Sequence, residues 1–329
     1  MSALAPTLEA FFTDRLLRER EASPNTIAAY RDCFRLLLRF AAERTGIEPH
    51  RLEVSDLDAG LVAAFLDHLE SERGCGARTR NARLAAIRSL YRYAALRHPE
   101  HAATIARVLA IPPKRFERGL VTFLTEEEIE ALLAAPDRSS RAGRRDRALL
   151  ILAAQTGLRA AELTGLRIQD IELGRGAHVS CVGKGRKQRI TPLTEPTTAV
   201  LRAWLEERGR EAEGPLFPTR TGGPMSRDAL ERRIAKHTAA AAERCPSLGG
   251  KKVTAHVLRH TAAMRLLQAG VDTSVIALWL GHEQVETTQV YLRADLRIKE
   301  RALARTTPPS ANPGRYRPPD ALLAFLEAL

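Results

Sequence analysis

The stretch Leu280-Gly281-His282-Glu283-Gln284-Val285-Glu286-Thr287-Thr288-Gln289-Val290-Tyr291 decides how this chain is read, together with Thr254-Ala255-His256-Val257-Leu258-Arg259-His260-Thr261 before it. His256 and Arg259 stand at i and i+3, which puts them on one face of one helix. Asp272, Thr273 or Ser274 can cap the next helix, and Gly281 ends it in a favoured C-terminal position. His282 therefore stands just past a helix end, with Tyr291 on the segment after it. Further upstream, Thr156-Gly157-Leu158-Arg159-Ala160-Ala161-Glu162-Leu163 supplies a second arginine. Between the two arginine segments, Gly183-Lys184-Gly185-Arg186-Lys187-Gln188 is flanked by the β-type runs Ala177 to Val182 and Arg189 to Leu193. Glycines and cations between two strands describe a hairpin whose tip can touch a phosphate.

Two arginines, histidines and a late tyrosine suit attack of a phenolic oxygen on a phosphodiester. In-line displacement at phosphorus spreads negative charge over the non-bridging oxygens, and fixed cationic donors or a metal must stabilise it. Arginine donates bidentately to phosphate and stays charged at any working pH. Histidine shuttles protons near neutrality, and tyrosine needs a base before it becomes a useful nucleophile. A covalent phosphotyrosine link would conserve the bond energy, so strands would be rejoined without ATP, metal or other cofactor.

The bulk properties agree with an anionic polymer as partner. The 329 residues allow two domains at roughly 100–200 residues each. Lys and Arg number 51 against 39 for Asp and Glu, a net charge of +12, which favours nucleic acid. No run of about 18 apolar residues suggests a membrane span. Met1 to Arg20 carries Glu9, Asp14 and Glu19, so no secretory leader is expected and the location expected is cytoplasmic, on the nucleoid. Cys33, Cys75, Cys181 and Cys245 are scattered, which disfavours zinc and disulfide frameworks.

Along the chain, helical patterns dominate. Leu8, Phe11, Phe12, Leu16 and Leu17 give one apolar stripe, and Ser23-Pro24 opens a second helix. A third helix is expected from near Ser55-Asp56 and a fourth from about Ala77 to Leu96. The fourth presents Arg78, Arg80, Asn81, Arg83 and Arg88, which are expected to reach phosphates and base edges in a major groove. The proline-broken basic segment from Ile111 to Gly119 reads as a linker. Thr125 caps a helix with Glu126, Glu127 and Glu128 in its first turn, and an apolar helix is expected around Ala148 to Gln155. Arg138, Arg141, Arg144, Arg145 and Arg147 read as a solvated or DNA-facing surface.

These residues resemble the tyrosine recombinase (phage integrase) family, most of all its Xer-type and transposon-borne members. The resemblance is carried by Thr156-Gly157-Leu158-Arg159-x-x-Glu162-Leu163, Gly183-Lys184-Gly185-x-Lys187-x-Arg189, His256-x-Leu258-Arg259-His260, and Leu280-Gly281-His282 ahead of Thr287-Thr288-x-x-Tyr291. It implies a mainly α fold with a small β-sheet: a helical, SAM-like core-binding domain over 1–110, a basic linker over 111–120 and an α+β catalytic domain over 121–305. Residues 306–329 would form a proline-rich tail with a docking helix, and the two domains a C-shaped clamp on double-stranded DNA.

The resemblance also implies roles. Arg159 and Arg259 would clamp the scissile phosphate, and Lys184, preferred over Lys187, would protonate the leaving 5′ oxygen. His256 would help take the proton from Tyr291, His282 would bond the phosphate, and Tyr291 would form a 3′-phosphotyrosyl bond. Glu162 would brace the site, Lys187 and Arg189 would touch phosphates, and His260 reads as a structural histidine. Leu322, Leu323, Phe325, Leu326 and Leu329 would dock on the next subunit of a synaptic tetramer, with or without sister recombinases. A type IB topoisomerase, which uses a similar residue set, and a non-catalytic DNA-binding relic are the alternatives.

Overall fold

The computed structural model describes residues 4–116, 121–183, 188–209, 214–281 and Tyr291. The chain divides into two compact units, Met1–Arg118 and Gly119–Leu329.

The first unit is helical. Helix α1 (Leu4–Ala10) continues into a π-helical segment of wider radius, Phe11–Glu19. Helix α2 (Pro24–Thr45) begins where Ser23 accepts the Thr26 N–H at 3.2 Å, and it ends on Gly46 in the left-handed conformation. Helix α3 (Ala59–Ser71) is capped by Asp58, which accepts the Leu61 N–H at 2.8 Å, so it starts after the Ser55-Asp56 position expected. Helix α4 (Ala77–Ala94) comes next, and α5 (Ala102–Ala110), with Ile105 and Val108 buried on one face, is a further helix before the basic segment. Phe11 lies at the centre of an aromatic cluster, with Phe12, Tyr30, Phe34 and Tyr93 at ring separations of 5.6 to 6.2 Å. Leu17, placed in the apolar stripe by periodicity, is 55% exposed, because the wider turn rotates it out of register with Phe11 and Leu16.

Helix α4 corrects one expectation about the basic face. Arg80 is 6% exposed and lies 3.2 Å from Glu70 of α3, inside the unit. Asn81 spends its amide on the backbone of Lys114, donating at 2.8 Å and accepting at 3.0 Å, and so pins the start of the basic segment. Arg83 is half-buried beside Cys33, and Arg88 donates to the Ile111 carbonyl. Arg78 is the member of this set that is exposed. The charge is real, but two of the four arginines, Arg80 and Arg88, are engaged by a carboxylate or a backbone carbonyl that the helical repeat cannot reveal.

The second unit is built around α7 (Arg141–Thr156). Helix α6 (Glu126–Ala134) precedes it with a complete capping box, Thr125 and Glu128 each satisfying the other's backbone N–H. After α7 come the short α8 (Ala160–Gly165), then β1 (Ile171–Glu172), β2 (His178–Val182) and β3 (Gln188–Pro192). The three strands form one antiparallel sheet in the order β1-β2-β3, with Val182 opposite Gln188. These strands begin and end within a residue of the hairpin read from the sequence. Helices α9 (Glu195–Arg208), α10 (Arg227–Ala242), α11 (Ala255–Gln268) and α12 (Thr273–Leu280) complete the described part. Among the described residues no helix is long and apolar enough to cross a membrane.

Helix α7 begins seven residues before the apolar run that betrays it, with Ser140 accepting the Gly143 N–H at 3.1 Å. Its first turns are charged, yet they are packed. Arg144 makes a two-point contact with Glu207 of α9, at 2.7 and 2.8 Å. Arg145 and Asp146 are both buried; Arg145 donates twice to Asp146 Oδ1, at 2.9 and 2.7 Å, and once to the Pro218 carbonyl. His237 of α10 reaches Asp146 Oδ2 at 3.0 Å. The basic run is therefore a strut between α7, α9 and α10 at these two arginines, not an open surface.

Burial alone would push the Asp146 carboxyl up, but hydrogen bonds from His237 and Arg145 outweigh it and hold the group below the ordinary carboxylate range. The folded chain thus binds this proton less readily than the unfolded chain does. The stabilisation is fully present above the unfolded value, near ~3.9, and is lost as pH falls through the lower folded value. Asp146→Asn is expected to cost about 3–5 kcal/mol, because Arg145 is left as an uncompensated buried charge. Urea denaturation of both proteins checks this: the gap should stay constant from neutral pH to about pH 5 and narrow below about pH 4.

Candidate active site

Two glycines set the geometry of the site. Gly157 ends α7 at φ +62° and Gly281 ends α12 at φ +65°. Both are in the left-handed conformation that glycine adopts without penalty. A Cβ at Gly157 would meet Leu280 Cδ2 at 2.7 Å, and one at Gly281 would meet an Arg189 Nη1 at 2.6 Å. The glycines therefore permit both the turn and the close approach of Leu280 and Arg189.

The helix ends they create receive the arginines. Arg259 of α11 is buried and donates to the carbonyl of Gly157 and to that of Leu280, each at 2.7 Å. Arg159, at the N-cap of α8, donates to the Gly281 carbonyl at 2.9 Å. The last carbonyls of a helix lack intrahelical donors and carry the negative end of its dipole, so they suit a cation. Burial, and then the neighbouring Arg159, bring the Arg259 guanidinium down to about 10. It is still protonated at neutral pH.

Glu162 binds Arg159 to a third arginine, Arg189. It accepts Arg159 Nη1 at 2.9 Å and the Arg159 backbone N–H at 2.8 Å, and it takes both ends of Arg189 at 3.0 and 2.7 Å. Burial would raise this carboxyl, but Arg189 and the Arg159 N–H outweigh it and hold it below the usual range. Arg189 is therefore not the outward phosphate contact expected of the hairpin. Its side chain is 11% exposed and turned inward onto Glu162, since β3 alternation points this residue under the sheet. Arg159 keeps its side chain 35% exposed, so part of its fork remains open to a ligand.

Tyr291 joins the same region. It packs in a small apolar cluster with Ala263, Met264, Leu267, Ile276 and Leu280, and is 2% exposed. Its hydroxyl lies 3.0 Å from Nδ1 of His260. The His256 ring meets the His260 ring edge-on at 4.0 Å between centroids. Burial pushes the Tyr291 phenol up, with Arg259 opposing, while burial and then Arg259 and Arg159 push His256 down, so that it holds a proton less readily than a free imidazole. The structure thus brings Arg159, His256, Arg259 and Tyr291 into one region. Lys184, Lys187 and His282 lie outside the described residues, as does the tail expected to carry a docking helix.

His260 is the residue that sequence reasoning undervalues. It stands at i+4 from His256, on the same face of α11, and that spacing is the available signal. The N-terminal approach to α11 is also tied down: the Leu124 N–H donates to Thr261 Oγ1 at 3.0 Å, and Lys251 Nζ bridges the Phe123 carbonyl and Glu128 at 3.2 and 2.6 Å.

Comparison with known proteins identifies the family. Residues 122–297 match the Phage integrase family, and residues 10–98 match the Phage integrase N-terminal SAM-like domain. The putative integrase/recombinase y4rC of Sinorhizobium fredii (strain NBRC 101917 / NGR234) is 56% identical over 328 residues, covering 100% of this chain and 99% of its own length. Tyrosine recombinase XerC of Xanthomonas campestris pv. campestris (strain B100) is 35% identical over 295 residues, covering 90% of this chain and 85% of its own. The fold is shared with XerH site-specific recombinase in a post-cleavage complex with palindromic difH substrate. That likeness has a TM-score of 0.70 at 23% identity and covers 87% of this chain and 81% of that one. With the family matched over more than half its length and a full-length relative at this identity, the chain belongs to the phage integrase family of tyrosine recombinases.

Proposed function

We propose that the chain cuts and rejoins double-stranded DNA at specific recombination sites through a 3′-phosphotyrosyl link to Tyr291, using neither metal nor ATP. The observation that carries this reading is the meeting of Tyr291 with His260, His256 and Arg259 on one face of α11, beside an Arg159 whose fork is still part-exposed. The arginines would hold the non-bridging oxygens as charge develops, Lys184 would protonate the leaving 5′ oxygen, and His282 would donate to the phosphate. Arg78 and Arg159 are described cations with open side chains suited to the DNA backbone. The aligned relatives are named as recombinases, which disfavours a type IB relaxing enzyme. The chain would act on nucleoid DNA in the cytoplasm, as four protomers joined by the tail helix in trans.

A duplex recovered by the protein from a random-sequence pool, with nicks tiled along one strand, tests the chemistry. Wild type should form a covalent protein–DNA adduct on one nick position, and Tyr291→Phe should form none while binding the same duplex. Firm binding by wild type without an adduct on any nick would leave a DNA-binding relic as the better reading. Arg259→Lys should slow adduct formation by about 10²- to 10³-fold, since a point charge cannot reproduce the two-ended donor. Deleting residues 318–329 should leave single-site adducts intact and abolish pairing of two sites, read by native gel; unchanged pairing would refute docking in trans.

A further inference from the structure

We propose that His260 is a catalytic residue that accepts the proton of Tyr291 through Nδ1 as the phenolic oxygen attacks phosphorus. This deepens the recombinase reading and rests on it. The geometry is direct: Nδ1 stands 3.0 Å from the tyrosine hydroxyl, within the reach a general base needs, and the ring lies 5.5 Å from the tyrosine ring at 67°. His256, one turn back on α11, presents its ring to His260 at 4.0 Å.

The surroundings make the need for a base acute. The phenol is buried and its proton is held more tightly than in water, so attack without an acceptor would be slow. Among the cations nearby, Arg259 has both ends of its fork on the Gly157 and Leu280 carbonyls and cannot take a proton. Burial and then Arg259 and Arg159 weaken the hold of His256 on a proton, which disfavours a second positive charge beside the imidazolium that His260 becomes. His256 is then a positioning residue that holds the His260 ring, while His260 makes the contact with the reacting atom.

With its own proton on Nε2, His260 accepts at Nδ1; the Tyr291 O–H bond breaks and the Oη–P bond forms. The P–O5′ bond breaks, and the 5′ oxygen leaves with a proton from the general acid, Lys184. On rejoining, the 5′ hydroxyl gives its proton back to the neutral Lys184 amine as the O5′–P bond forms, the P–Oη bond breaks, and the imidazolium returns its proton to Oη.

The test uses the full chain and the selected nicked duplex, made also with a bridging 5′ sulfur, a leaving group that needs no proton. His260→Asn places an amide oxygen near the Nδ1 position, so it can hold the hydroxyl but not accept its proton; His260→Phe keeps the ring volume. Both are expected to bind the duplex like wild type, to form adduct at least about 100-fold more slowly, and to gain nothing from the sulfur substrate. Lys184→Ala, in contrast, should be restored by sulfur. Wild-type rates in both variants, rescue of either by sulfur, or activity in Asn but not in Phe, would each overturn proton acceptance by His260. Adduct formation by wild type in the same assay keeps that failure separate from failure of the recombinase reading. No adduct from wild type would overturn both.

Discussion

Arg159 and Arg259 lie within each other's field, and the second unit is organised around offsetting that repulsion. Two like charges in a partly desolvated site oppose folding unless fixed negative partners face them. The partners here are mostly not carboxylates. Arg259 is held by the final carbonyls of α7 and α12, and Arg159 by the Gly281 carbonyl and Glu162. Carbonyl dipoles compensate a cation without cancelling its charge, so the guanidinium can still attract a phosphate. A buried carboxylate on each arginine would be a stronger clamp and a worse receptor. Glu162 is shared three ways, by Arg159, Arg189 and the α8 N-terminus, which dilutes its hold on any one of them.

This explains why the local turns matter more than the bulk of the helices around them. The left-handed caps at Gly157 and Gly281 bring the carbonyls to the arginines, and both positions are too crowded for a side chain. The close packing continues into the core: Leu280 supplies a carbonyl to Arg259 and a side chain to the cluster that surrounds Tyr291. One residue therefore links the position of the cation to the position of the nucleophile. Preorganisation of this kind lowers the reorganisation needed when charge develops, which is where most electrostatic catalysis is gained.

Legibility in the sequence tracks the range of the interactions involved. Ser23, Thr125 with Glu128, Gly157 and Gly281 are legible because a cap joins residues within one turn of each other. The hairpin is legible because strand alternation and glycine placement are local too. The fates of the basic residues are not. Arg189 meets Glu162 across 27 positions, Asp146 meets His237 across 91, and Asn81 meets the Lys114 backbone across 33. Nothing in charge counting distinguishes an arginine bound for solvent from one bound for a buried carboxylate. The start of α7 is hidden for the same reason, since its charged first turns read as surface until Glu207 and His237 are placed against them.

His260 shows how a site residue escapes such a reading. Its partner stands 31 positions away, and its neighbour Arg259 carries the recognisable motif, so on sequence alone it adds only bulk to a helix. The fold changes its meaning by bringing Tyr291 against the α11 face that already carries His256. Periodicity places His256 and His260 one turn apart, but only the packing of Met264, Leu267 and Leu280 around the tyrosine turns that spacing into a contact with the nucleophile. The same packing that buries the phenol, and so raises the cost of ionising it, also supplies the imidazole that can relieve that cost. Burial and base are thus one arrangement: a tyrosine kept protonated in the apolar cluster until a phosphate arrives, with its acceptor already within hydrogen-bond distance.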